Sequence, residues 1–205
     1  MLSAFTAGLL LITISELGDK TFFIAMILSM RHPRHLVLAG VVAALAAMTL
    51  LSVAIGQVFS FLPKAYTHYA AISLFLFFGL KLLYEASRMS ASATDEVVGE
   101  AKEAVELGEK KLKGHRSHWA ILFESFILTF LAEWGDRTQI ATITLAAANN
   151  AVGVTLGAIL GHTICALIAV WGGCLIAGKV SERAVTAIGG VLFLVFAVVA
   201  IFEGA

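Results

Sequence analysis

Two short stretches of this chain carry ionisable side chains in otherwise apolar surroundings. Glu16-Leu17-Gly18-Asp19-Lys20-Thr21 and Glu133-Trp134-Gly135-Asp136-Arg137-Thr138 share one order of acid, glycine, acid, cation and hydroxyl. An ionised group inside a membrane costs at least about 2.5 kcal/mol on insertion scales, so such groups mark pathways or paired sites. Four carboxylates and two cations leave a formal charge of minus two. A divalent cation cancels that charge, and so do two protons. Such a site is neutral in either loaded state and charged when empty, and desolvation penalises an empty crossing. This is the electrostatics of an exchanger, with a hypothesised ratio of one metal for two protons.

The expected ligands are Glu16, Asp19, Glu133 and Asp136, all carboxylate oxygens, with Thr21, Thr138 and nearby carbonyls adding neutral oxygens. Calcium and manganese suit such a set; thiolate-seeking metals do not. In a continuous helix Lys20 would reach back four residues to Glu16, and Arg137 would do the same for Glu133. Internal salt bridging alone is the plainer alternative, but it leaves the excess of acid unexplained. Gln139 follows the second motif where the first has Phe22, and either lines the pathway or hydrogen-bonds across helices. His162, opposite Leu45 in the other half, is expected to be a packing histidine with its partners satisfied; a proton relay is the alternative. Glu124 is expected to be a helix-start anion rather than a vestibule carboxylate. Cys165 and Cys174, both in an apolar run, are expected to be small core residues.

The elements that must hold these groups are membrane helices. The chain has 205 residues, of which 60% are hydrophobic, and its mean hydropathy is +0.93. A soluble domain of this size needs far more polar surface. Fourteen basic residues balance fourteen acidic ones, so nothing draws the chain to nucleic acid. No Lys or Arg precedes the first apolar run and no small-residue cleavage site follows it, so that segment is expected to stay as a membrane helix. Six spans are expected, roughly Leu2 to Met30, Leu36 to Leu62, Ala65 to Leu83, Trp119 to Ala148, Ala151 to Ala177 and Ala184 to Phe202. A span needs about 20 residues. The first and fourth exceed this, so they tilt, protrude or break, and Gly18 and Gly135 are where a helix gives way most easily. Pro33 and Pro63 end the first two spans, and Asn149-Asn150 makes a tight turn. Between Arg88 and His118 a charged linker, acidic first and basic later, suggests a solvated helix over Asp95 to Lys113.

Basic residues give the orientation. Arg31, Arg34, Arg88, Lys102, Lys110, Lys111, Lys113, Arg116, Lys179 and Arg183 fall on one side, and only Lys64 on the other. By the positive-inside rule the linker is cytoplasmic and both termini are non-cytoplasmic. Lys20, Lys81 and Arg137 lie within spans. The halves repeat. A shift of 117 overlays the two motifs and carries Gly40 to Gly157 and Gly56 to Gly173. A shift of 118 matches residues 73–76 to 191–194 and Glu85 to Glu203. Three spans per copy force the second copy in upside down, with a site near the midplane. The expected fold is therefore an all-α membrane protein of six transmembrane helices arranged as two inverted three-helix repeats, residues 1–88 and 119–205, joined by a partly helical cytoplasmic linker, 89–118. Gly40, Gly56, Gly157, Gly161, Gly172 and Gly173 are expected to let helices approach closely. Trp119 and Tyr66 fit an interfacial aromatic belt.

The paired signature Glu-x-Gly-Asp-(Lys/Arg)-(Thr/Ser), intact at Glu16 to Thr21 and Glu133 to Thr138, resembles that of the Gdt-type cation/proton exchangers. That family includes Golgi manganese and calcium transporters, chloroplast manganese transporters and small bacterial or cyanobacterial manganese exporters. The resemblance covers nearly the whole chain. It implies exchange of Mn²⁺ or Ca²⁺ for H⁺ by Glu16, Asp19, Glu133 and Asp136, with Lys20 and Arg137 as charge partners and Thr21 and Thr138 in support. It implies no cofactor, only transported cations and protons, and a multi-pass protein of a bacterial inner membrane or a cyanobacterial plasma or thylakoid membrane, exporting manganese. The bilayer is the other expected partner, and a homodimer is compatible with this reading. Three alternatives are set against it. An intramembrane aspartyl protease needs two Asp sharing a proton, without the extra acids here. An amino-acid exporter of related build needs a surplus cation in the pocket. A purely structural protein would be indifferent to loss of the carboxylates.

Overall fold

The fold, a computed structural model, describes residues 1–89, 93–111, 117–172 and 181–203. Among them all regular structure is helical. The helices are α1 (Leu2–Glu16), α2 (Lys20–Arg31), α3 (Arg34–Phe59), α4 (Lys64–Arg88), α5 (Ala93–Lys111), α6 (His118–Ala132), α7 (Arg137–Ala148), α8 (Ala151–Leu167) and α9 (Glu182–Glu203). A π-helical turn, Ile168–Gly172, prolongs α8. Arg34–Phe59, Lys64–Arg88, Ala151–Gly172 and Glu182–Phe202 are long and apolar enough to cross a membrane. Leu2–Glu16 and His118–Ala132 are shorter apolar helices, and the stretches expected as the first and fourth spans are each divided, α1 with α2 and α6 with α7. Cys174, Gly173, Lys113, Arg116, Lys179 and the tail of the fifth span lie outside the described residues.

Both divisions fall at the glycines of the motifs. Gly18 has φ +80° and Gly135 has φ +82°, a region where a Cβ is strained. The residue after each glycine is extended and caps the next helix: the Asp19 carboxylate accepts from the Lys20 N–H, and the Asp136 carboxylate accepts from the Gln139 N–H, each at 2.7 Å. The breaks match closely, with Asp19 at φ −75°, ψ 171° and Asp136 at φ −76°, ψ 173°.

Packing repeats as the sequence does. α1 lies on α8 and α6 on α3, while α4 pairs with α9. A Cβ added to Gly40 would stand 2.5 Å from the Leu122 carbonyl oxygen, and one added to Gly157 would collide with the Phe5 carbonyl oxygen. Gly40 and Gly157 are 117 residues apart, and so are Phe5 and Leu122. The same close approach therefore occurs twice, each time between the two halves. The outside of the bundle is apolar, with Leu50, Phe77, Phe123, Leu131 and Val191 all more than half exposed, as a lipid-facing surface requires.

Two features differ from the expected pattern. α2 is buried continuously from Thr21 to Ser29, so it is enclosed rather than amphipathic. What encloses it on one side is α5, expected to be a solvated linker. Ala101 and Val105 of α5 are fully buried in the same core as Phe23, Ile24 and Leu28. Glu109 pairs with Arg31 at 2.7 Å and with His32 at 3.4 Å. The charged sequence masked a narrow apolar stripe.

Gly157→Val is expected to lower the thermal midpoint of the detergent-solubilised protein, since overpacking costs about 1–3 kcal/mol. Gly99→Ala is the control: a Cβ there meets nothing within 4 Å, so the midpoint should stay or rise slightly. Fluorescence-monitored unfolding reads both.

Candidate cation site

The two breaks meet. Glu16 ends α1 and Glu133 caps the C-terminus of α6, while Asp19 and Asp136 cap the N-termini of α2 and α7. One carboxylate oxygen from each of Glu16, Glu133 and Asp136 lies within 4.8 Å of the other two. Oxygens bonded to one calcium ion are at most about 5 Å apart across it, so this spacing suits a single hard cation. Glu16 and Glu133 are almost fully buried. Asp19 joins the cluster across the interface between halves: its Oδ2 accepts from the Arg137 guanidinium at 3.2 Å.

The hydroxyls hold the acids in place. Thr21 donates to Glu16 at 3.2 Å, and Thr138 lies 2.8 and 3.0 Å from the two oxygens of Asp136. Each also neighbours the glutamate of the opposite motif, Thr138 beside Glu16 and Thr21 beside Glu133. The N-termini of α2 and α7 add partial positive charge, and the C-termini of α1 and α6 supply carbonyls. Broken helices arranged this way can hold an ion and its counter-charges together at membrane depth.

The cations are not where helical continuity would put them. Lys20 turns away from Glu16 and pairs with Glu100 of α5 at 3.1 Å. Arg137 turns from Glu133 to Asp19, and also donates to the Ser15 carbonyl at 3.4 Å. The break accounts for both, because residues four apart share a face only while the helix runs on. The cluster therefore holds four carboxylates and one guanidinium, leaving a formal charge of minus three. Gln139 hydrogen-bonds across helices: its amide donates to Met48 Sδ on α3 at 3.0 Å, and its carbonyl accepts from the Gly135 N–H at 2.7 Å.

His162 is buried, but its Nδ1 has no hydrogen-bond partner, which corrects the expectation of a satisfied histidine. It shares a cavity of about 10 Å³ with Glu16, Thr21 and Cys165. Glu124 lies within α6, buried and with Oε1 unpartnered, against α5. One further residue escaped the sequence reading. Glu182, at the start of α9, is within electrostatic reach of Asp19, Arg137, Glu96 and Glu100. No motif surrounds it, and only the fold brings it near the cluster.

The sequence model of a family described as "Divalent cation/proton antiporter GDT1" matches residues 4–90 and 121–205. A GDT1-like protein of the cyanobacterium Synechocystis (sll0615) is 66% identical over 97% of this chain and 97% of its own length. GDT1-like protein 4 of Oryza sativa subsp. indica is 47% identical over 98% of this chain and 74% of its own. The chloroplastic PAM71-homolog of Arabidopsis thaliana is 44% identical over 98% of this chain and 59% of its own. No solved structure matches the chain. The family is one of transporters rather than enzymes, which removes the protease reading, and its exchange of divalent cations for protons needs no cofactor. The chain is an integral membrane protein and belongs to the GDT1 family of divalent cation/proton antiporters.

Proposed function

We propose that this chain exports Mn²⁺ from the cytoplasm in exchange for protons, with Ca²⁺ as a second substrate, and that Glu16, Asp19, Glu133 and Asp136 are the groups for which metal and protons compete. One observation carries the reading: both motifs contribute to a set of carboxylate oxygens within 4.8 Å of one another. Thr21 and Thr138 orient these acids, Arg137 offsets Asp19, and Gln139 braces the second break. The protein would comprise repeats 1–88 and 119–205 in opposite orientations, with both termini outside the cytoplasm and the linker 89–118 within it. Ten basic residues against one support that orientation. The relatives from a cyanobacterium and from chloroplasts support a bacterial inner membrane, or a cyanobacterial plasma or thylakoid membrane.

Charge sets the exchange ratio. With Lys20 turned outward the cluster stands at minus three, so one metal with one proton, or three protons, makes it neutral. The difference remains two protons per metal, with one proton kept in both states. Carboxylates must lose protons to bind the metal, so affinity rises with pH.

In proteoliposomes, Asp19→Asn and Asp136→Asn are each expected to abolish proton-coupled Mn²⁺ and Ca²⁺ flux. Reversal potentials should give two protons per cation; a one-for-one ratio would refute the charge argument. Arg137→Gln is expected to cut transport by more than about tenfold, since a partly buried pair loses one partner. Lys20→Gln should change it by less than about fivefold, as befits an exposed pair.

A further inference from the structure

A cavity of about 260 Å³ opens on the cluster, lined by Asp19, Asp136 and Arg137 and, from α4, by Phe78, Lys81, Leu82 and Glu85. Lys81 lies seven residues before Arg88, the last residue of α4, so this cavity lies about 10 Å along the helix from the basic end of the molecule. Glu182, within electrostatic reach of Asp19 and Arg137 of this lining, also feels the α5 acids Glu96 and Glu100.

Lys81 is out of place in a cation route. An ammonium in a membrane span is costly and repels the substrate. It contacts Glu85 at a loose 3.6 Å, and both side chains are about half exposed, at 51% and 40%. Helix stability does not explain the pair: lysine before glutamate is the weaker order for an i,i+4 pair, and Glu85 sits unfavourably near a helix C-terminus. Nor does the repeat explain it. The 118-residue shift takes Glu85 to Glu203 but Lys81 to Val199, so the ammonium belongs to one half only.

We propose that Glu85 receives a cation on its way from the basic end to the cluster, and that Lys81 is a tethered competitor that makes this step selective for divalent ions. The inference rests on the transport reading above. A doubly charged ion interacts with Glu85 twice as strongly as the ammonium does, and displaces it; a monovalent ion has no such advantage. Glu85 in turn restrains Lys81, whose ammonium would otherwise turn to Asp19 and Asp136 in the same cavity.

The two residues therefore act with opposite sign. Mn²⁺ binding to the full detergent-solubilised chain can be read from the EPR signal of free Mn²⁺, at constant ionic strength with Na⁺ exchanged for choline. Lys81→Met is expected to tighten the apparent Kd by about threefold or more and to make binding sensitive to Na⁺. Glu85→Gln is expected to weaken it by about threefold or more, and Lys81→Arg should behave as the wild type. Shifts in the same direction, or Kd values within about twofold of wild type in both variants, would mean a surface ion pair and overturn the proposal. Proton-coupled flux of the wild type on the same preparation separates the two readings. If it exchanges Mn²⁺ for protons while the variants bind unchanged, the present inference alone fails. If it binds Mn²⁺ without exchange, the transport reading fails. If it binds no Mn²⁺, both fail.

Discussion

Three carboxylate oxygens within 4.8 Å of one another, in the middle of an apolar bundle, are the constraint that the rest of the structure answers. Two unit charges 4 Å apart at an effective dielectric constant of 20 repel by about 4 kcal/mol, so such a group does not persist fully ionised and empty. The protein softens the repulsion with one guanidinium, two hydroxyls and the N-terminal ends of two half-helices. What is left over is, on the proposed reading, the affinity that drives exchange. A site neutralised completely by its own side chains would have no use for a cation.

Breaking the helices makes that arrangement available. A continuous α1–α2 would have no free amide groups at membrane depth, and its carboxylates would be restricted to one face. Gly18 and Gly135 adopt the positive φ that redirects the chain within three residues, and Asp19 and Asp136 take up the newly freed N–H groups. Each aspartate is thus a cap and a member of the cluster at once. Its structural duty fixes where its remaining oxygen points, which is how a short motif sets a geometry that would otherwise demand a larger scaffold.

Much of this was legible in the sequence. Apolar run lengths located the long helices, the repeated glycines anticipated the close approaches at Gly40 and Gly157, and the two six-residue motifs contained the carboxylates that the fold brings together. The partners of Lys20 and Arg137 were not legible, because i,i+4 reasoning presumes the very helix that Gly18 and Gly135 interrupt. The docking of α5 was obscured for a different reason. Its apolar stripe rests on small residues such as Ala101 and Val105, which weigh little against the charges that surround them. Glu182 and the Lys81–Glu85 pair acquire meaning only from tertiary proximity, which periodicity does not encode.

The two breaks, so alike in backbone, differ in their surroundings. Gly18 is buried, and the half-helix after it is sheathed by α5 and fastened to it at both ends, through Lys20–Glu100 and Arg31–Glu109. Gly135 is exposed, and a Cβ there would meet nothing within 4 Å. In mechanical terms the first joint is splinted from outside by α5, and the second is braced from within by Gln139. A symmetric blueprint has thus been given unequal scaffolding, an outside strap across the first joint and an internal strut across the second.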